Sequence, residues 1–238
     1  MVEVRRKRHG LSYTQKWFAR EAGAGELGRF VVYYQYLGET PPRHFVRRPY
    51  STAVVDLSHG SDAILEGMNK HTRHHVRRAE QDGLSWERDV PAEEFAAFHA
   101  AFAREKGIEG VDERRLASYG EHILLTRVRR EGRVLAQHAY IVDRDEKRAR
   151  FLYSSSGRFE GEGAAVVGRA NRWCHWKDML WLQNSGIVSY DLGGIAEGAT
   201  DPALVGINEF KFELGGVLVR EDHWLSPLYA LVGRLGLQ

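Results

Sequence analysis

Two glycine pairs frame the stretch YDLGGIAEGATDPALVGINEFKFELGG at residues 190–216. Asp191 and Gly193-Gly194 stand at the end of an apolar strand pattern. Strand interiors disfavour both residue types, so this strand stops beside something that needs close backbone approach. A short helix then delivers Phe210, Lys211 and Phe212 into the second pair, Gly215-Gly216. On their residue types alone, Lys211 is a solvated cation on an amphipathic helix. Asp191 is either a proton acceptor for an amine or a cap on the loop that follows it.

Three other clusters have types and spacing that bear on chemistry. In SSSGRFEGEGAAVV, Gly161 and Gly163 precede a helix of small residues, and Arg158 adds a cation. A helix start of this kind offers free N–H groups to a phosphate or a carbonyl oxygen, although glycine is also common in plain strand-to-helix turns. In KHTRHHVRRAEQDG, Lys70, Arg73, Arg77 and Arg78 read either as phosphate contacts or as a solvated face paired with Glu80 and Asp82. His71, His74 and His75 share helix faces, but no nearby carboxylate or cysteine spacing completes a metal site, and none is expected. Cys174 lies mid-helix at core spacing and is not expected to act as a nucleophile. Trp173, Trp176 and Trp181 in the same helix read as core and rim.

The whole chain limits what these clusters do. Its 238 residues hold one large domain or two small ones, and 43% hydrophobic with 11% aromatic residues supplies a core. Basic residues number 34 against 32 acidic, a net charge of +2, so any basic surface is local. A single cysteine excludes an intramolecular disulfide and a cysteine-cluster metal site and suits a reducing cytosol. MVEVRRKRHG has the charges of a secretory leader but no apolar region behind it, and no stretch is long and apolar enough to span a bilayer. The expected location is cytoplasmic. The apolar C-terminal WLSPLYALVGRLGL packs on the domain or at a dimer interface, with peripheral membrane contact as the other reading.

Elements follow from periodicity. Residues 1–50 read as an irregular lead-in with a helix around TQKWFAREAG and a strand at RFVVYYQYLG, closed at Pro41-Pro42. STAVVDLS is a strand. One helix is expected over 61–83, then a strand LSWERDV, a helix opened by Pro91 and closed by Gly107, and a short helix at DERRLASYGEH. Residues 123–157 alternate with period two around turns at Glu131-Gly132 and 143–146, a three-stranded antiparallel meander. A long helix over 163–186, a strand IVSYDL, the helix 201–213, a strand GVLVRED and the C-terminal helix complete the chain. The expectation is one mixed α/β domain over 51–238 behind the lead-in.

A meander followed by R-x-x-G-x-G-A and a long helix resembles the pyrophosphate-binding motif of the GNAT acyltransferase superfamily. KHTRHHVRRAEQDG, YDLGGI and GINEFKFELGG are similar to the signatures of its Fem peptidyltransferase branch, over about residues 51–225. The resemblance implies a GNAT-like fold, a mixed central sheet with an antiparallel meander flanked by helices. It implies transfer of an aminoacyl group from aminoacyl-tRNA to an amine such as that of a cell-wall precursor, a peptide or a small metabolite. Arg158, Gly161, Gly163, Ala164, Arg73, Arg77 and Arg78 would hold donor phosphates. Lys211 would stabilise the reacting acyl or phosphate group, with Asp191 beside the donor carbonyl. Tyr153, Tyr190, Gly193, Gly194, Phe210 and Phe212 would line the pocket. No cofactor or metal is implied beyond the co-substrate. The R-x-x-G-x-G-A stretch favours acyl-CoA as donor and the other signatures favour aminoacyl-tRNA; a rival of another class is a catalytically silent module that binds RNA or protein. Convergence of Lys211 and Asp191 with Gly161 and Gly163 on one cleft separates enzyme from silent module.

Overall fold

The computed structural model describes residues 1–8, 10–157 and 163–234, and leaves the side chains of Arg8 and Arg234 undescribed. The chain divides into two compact units, Met1–Thr52 with Leu218–Gln238, and Ala53–Val217. The division falls inside a strand, two residues beyond the sequence boundary at 50. The described residues from Leu218 to Arg234, which the sequence reading carried with the second unit, cluster with the first.

In the first unit, β1 (Val2–Arg8) and β2 (Leu11–Trp17) form an antiparallel hairpin. A turn at Gly10 joins them, with φ +81°, a conformation natural to glycine. β2 lies where the sequence suggested a helix. Its alternation of Tyr13, Gln15 and Trp17 against Ser12, Thr14 and Lys16 is a period-two pattern, and pairing to β1 stabilises it over a local helix. β3 (Val31–Tyr34) runs parallel to β2, and β10 (Val217–Leu225) pairs antiparallel with β3. Ala19, Val31, Tyr33 and Trp224 form one core cluster of this unit. Its loops enclose a cavity of about 770 Å³ between residues 20 and 45, lined by none of the candidate site residues.

β4 (Val46–Asp56) leads into the second unit. There follow α1 (Ser61–Gly67), α2 (Lys70–Ala79), β5 (Ser85–Arg88), α3 (Ala92–Lys106) and α4 (Glu113–Ala117). Next come β6 (Ile123–Arg130), β7 (Arg133–Asp143), β8 (Arg148–Ser156), α5 (Ala164–Asn184), β9 (Ser189–Gly194) and α6 (Pro202–Glu213); α7 (Pro227–Arg234) closes the described chain in the first unit. The helix expected over 61–83 is two helices. Met68 is extended, with ψ 153°, and Asn69 starts α2 by accepting a hydrogen bond from the Thr72 N–H at 2.7 Å.

The second unit's sheet runs in the order β9-β8-β7-β6-β5, parallel between β8 and β9 and antiparallel elsewhere, so the meander stands as read. One face packs Leu124, Val128, Tyr140, Tyr190 and Leu192 against α5 and α2. The other face packs Leu125 and Ala139 against Phe95 of α3 and Leu116 of α4. The fold is mixed α/β with helices on both faces of this sheet. Among the described residues no helix is long and apolar enough to cross a membrane.

Candidate active site

The site is built where two neighbouring strands part. β8 and β9 pair only at Arg148↔Ser189, Ala149↔Tyr190 and Arg150↔Asp191, yet β8 runs on to Ser156 and β9 to Gly194. The register between β7 and β8 jumps from Tyr140↔Phe151 to Ala139↔Tyr153, leaving Leu152 as an extra residue. A bulge of this kind bends its strand and opens the ladder, here two residues beyond the last pairing to β9. Gly193, at φ +83°, turns the end of β9, and a Cβ there would lie 3.5 Å from the Phe151 carbonyl oxygen.

Asp191 fixes that turn. It is fully buried, accepts from Arg148 Nη2 at 2.5 Å, and accepts from the Gly193 N–H at 2.7 Å. Both contacts belong to a carboxylate that shapes the strand end, the capping role of its two sequence readings.

α6 brings Lys211 to this place. Asp201 caps it by accepting from the Ala203 N–H at 2.9 Å, and Pro202 occupies the first turn. Lys211 Nζ donates to the Gly194 carbonyl at 2.5 Å, which joins the two glycine pairs that bracket α6. Burial, followed by the charge of Arg150, pushes the Lys211 pKa down to about 8 against the opposing pull of Asp191. The second pair serves the helix end: a Cβ on Gly216 would lie 2.8 Å from the Lys211 carbonyl oxygen and 3.0 Å from Ala53 Cβ. Phe210 packs its ring 5.6 Å from that of His175, with the Arg172 guanidinium 5.0 Å from its centroid. Arg172 also donates to Glu213 at 2.9 Å. Phe212 is 42% exposed and stands outside this cluster.

On the α5 face of the sheet lies a polar network that the sequence reading passed over. Asp178 of α5 is fully buried and accepts from Trp86 Nε1 at 2.8 Å, from Tyr140 Oη at 2.6 Å and from His138 Nδ1 at 2.8 Å. The other nitrogen of His138 meets the Asn171 amide at 2.9 Å. Tyr140 and Tyr190 join their hydroxyls at 2.7 Å, and Tyr190 meets His175 Nδ1 at 2.6 Å. Burial, with Asp178 nearby, pushes both phenols far above their ordinary range. Burial also pushes the Cys174 thiol up, which removes it as a nucleophile. His138, Cys174 and Asp178 place donor atoms within 4.8 Å of one another, but the carboxylate already takes protein hydrogen bonds from Trp86, His138, Tyr140 and the Cys174 thiol, and the cluster is closed. The available signal was polar spacing on an apolar helix: His175 and Asp178 stand three apart among tryptophans and Met179.

The remaining candidates are placed as follows. Tyr190, read as a pocket wall, lies wholly in the core, because its hydroxyl finds partners only there. Tyr153 is half-buried on the sheet's other face, its ring 5.7 Å from His99 and under the Arg115 guanidinium. Arg73 donates to the carbonyls of Glu66 (2.9 Å) and Met68 and so ties down the end of α1. Arg77 and Arg78 are exposed, and Arg78 donates to Gln81 at 2.9 Å. Gly163 is the N-cap of α5, with no side-chain cap on the helix that Ala164 begins. Arg158 and Gly161 lie outside the described residues. Lys211, Asp191, Gly193, Gly194 and Phe210 therefore converge, while α2, with Arg73, Arg77 and Arg78, packs on α5 and donates from the Asn69 N–H at its start to the Glu213 carbonyl at 3.0 Å.

No family model matches the chain, and no curated protein matches it in sequence. Among solved structures, FemX aligns with a TM-score of 0.69 at 13% identity, over 99% of this chain and 86% of that one. The fold is that of FemX. L-PGS from Bacillus licheniformis aligns at 0.60 and 13% identity, over 99% of this chain and 86% of its own. The C-terminal domain of a candidate lysylphosphatidylglycerol synthetase from Agrobacterium fabrum aligns at 0.59 and 15%, over 99% and 83%.

Proposed function

We propose that this protein is an acyltransferase of the Fem type, moving an aminoacyl group from aminoacyl-tRNA to an amine and forming an amide. The observation that carries the reading is Lys211, a half-buried cation held at the mouth of parted strands in a chain with the fold of FemX. The name of the aligned Agrobacterium fabrum structure, a lysylphosphatidylglycerol synthetase domain, supports aminoacyl over simple acyl transfer.

The chemistry follows from the geometry. An amine nitrogen attacks the carbonyl carbon of the donor ester, the C–N bond forms, and negative charge develops on the carbonyl oxygen. Lys211 in its ammonium form stabilises that oxygen, and partial burial beside Phe210 strengthens the interaction over its value in water. The C–O bond then breaks and releases the tRNA ribose hydroxyl. Asp191 holds Gly193 and the strand end in place, so its contribution is positional. The uncapped start of α5 at Gly163 suits donor phosphate in either an RNA or an acyl-CoA.

The test is a transfer assay with a pool of charged, labelled tRNA and, in parallel, with acetyl-CoA, each with an amine acceptor. Labelled amide formed from charged tRNA supports the reading. Amide from acetyl-CoA alone assigns the chain to the acyl-CoA branch, and none from either donor makes it a binding module.

A further inference from the structure

The polar network has a direction. Tyr140 donates to Asp178 Oδ2 at 2.6 Å and commits its single hydroxyl proton there. Tyr190 must then donate to the Tyr140 oxygen, at 2.7 Å, and His175 must donate from Nδ1 to the Tyr190 oxygen, at 2.6 Å. The chain therefore fixes the His175 tautomer with Nδ1 protonated and Nε2 bare. That Nε2 is buried and has no hydrogen-bond partner, in a residue only 1% exposed. A buried acceptor left open is unfavourable for folding, and the only other ring nitrogen of the network, on His138, is paired.

The His175 ring packs beside the elements that carry Lys211 and the parted strand. The His175 ring lies 5.0 Å from Phe151, the first β8 residue past the last pairing to β9, and 5.6 Å from Phe210, next to Lys211. The groups facing it are His138 from β7, with ring centroids 4.1 Å apart, Tyr190 from β9, Arg172 from its own helix and Lys211 from α6. Burial, then His138, Arg172 and Lys211, hold the imidazole neutral.

We propose that His175 is the proton acceptor of the transfer, taking a proton from the attacking nitrogen at Nε2 and returning it to the leaving oxygen. The proposal rests on the acyl-transfer reading of the same site. Attack by a neutral amine gives a tetrahedral intermediate with N⁺ and O⁻. Nε2 removes one proton from the nitrogen, and the resulting imidazolium protonates the departing ester oxygen as the C–O bond breaks. Amide and alcohol leave, and His175 is neutral again. Tyr190, Tyr140 and Asp178 are positioning residues that keep Nε2 free of a proton between turnovers.

Two experiments test this. Nitrogen-15 NMR of the wild-type imidazoles at neutral pH is expected to show a histidine protonated at Nδ1 and bare at Nε2, which His175→Gln removes. Transfer kinetics of His175→Gln are expected to show kcat lower by about 10²-fold or more, with donor affinity within about 3-fold of wild type. Tyr190→Phe, which breaks the chain but leaves the imidazole, is expected to lose less and to shift His175 toward a mixture of tautomers. A proton on Nε2 in the wild type overturns the proposal, whatever the variants do. Full kcat in a folded His175→Gln, with Lys211→Ala inactive, overturns it and leaves the acyl-transfer reading standing. A wild type that transfers nothing from any donor overturns both.

Discussion

The two sides of the candidate site are made by different means. On the α6 side, backbone constraints place one cation: Gly193 turns the strand end, Gly194 accepts from Lys211, Asp201 and Pro202 start the helix, and Gly216 leaves room for its last turn. On the α5 side, the arrangement consists of side chains alone, with Asp178, His138, Tyr140, Tyr190 and His175 satisfying one another inside an apolar core. The α6 side is partly open to solvent at Lys211 and Gly194. The α5 side transmits any loss through its whole hydrogen-bond chain.

That contrast predicts where each side breaks. The largest effect belongs to the interior: Asp178→Ala leaves three buried donors, on Trp86, His138 and Tyr140, without an acceptor and is expected to cost about 3–5 kcal/mol in chemical denaturation. Lys211→Ala is expected to lower kcat by about 10²–10³-fold while moving the denaturation midpoint little, since its side chain is half-buried and bonded to one carbonyl. Equal losses of stability in the two variants would erase the distinction. Gly216→Ala pushes a methyl against the Lys211 carbonyl and is expected to cost about 1–3 kcal/mol and to reduce kcat together with stability, which thermal melts beside kinetics would separate.

A fourth expectation concerns pH. Lys211 stabilises the oxyanion only as ammonium, and its pKa is pushed down to about 8, so that form dominates below pH 8 and is lost above it. With hydroxylamine, a neutral acceptor, the transfer rate should fall about tenfold for each pH unit above 8, and Lys211→Arg should move that decline upward. The smallest effect is at α2. Arg77→Ala should leave kcat unchanged and, if the exposed face of α2 meets donor phosphates, reduce the salt dependence of tRNA binding by about one unit of slope.

The contrast also explains what the sequence conveyed. Glycine, proline and capping residues mark the backbone directly, so the meander, the start of α5, the end of β9 and the place of Lys211 are legible in residue types. The break between α1 and α2 was marked too, by Asn69 after Gly67, but the apolar spacing on either side reads through it. β2 was missed because its strand state depends on β1, which local pattern does not include. Tyr190 was assigned to the pocket because the resemblance implied it; its burial follows from partners 50 and 15 residues away. His138, His175 and Asp178 stand at core positions of their elements, and only three-dimensional pairing turns them from isolated polar residues into a network.

The most direct test of the central claim, that Lys211 at the parted strands supports transfer of an aminoacyl group, is single-turnover transfer of a labelled amino acid from charged tRNA to hydroxylamine. Wild-type protein is predicted to form the labelled amide at a rate that Lys211→Ala lowers by about 10²-fold or more while charged tRNA still binds. Equal single-turnover rates in the two proteins, or no labelled amide from the wild type, would contradict it.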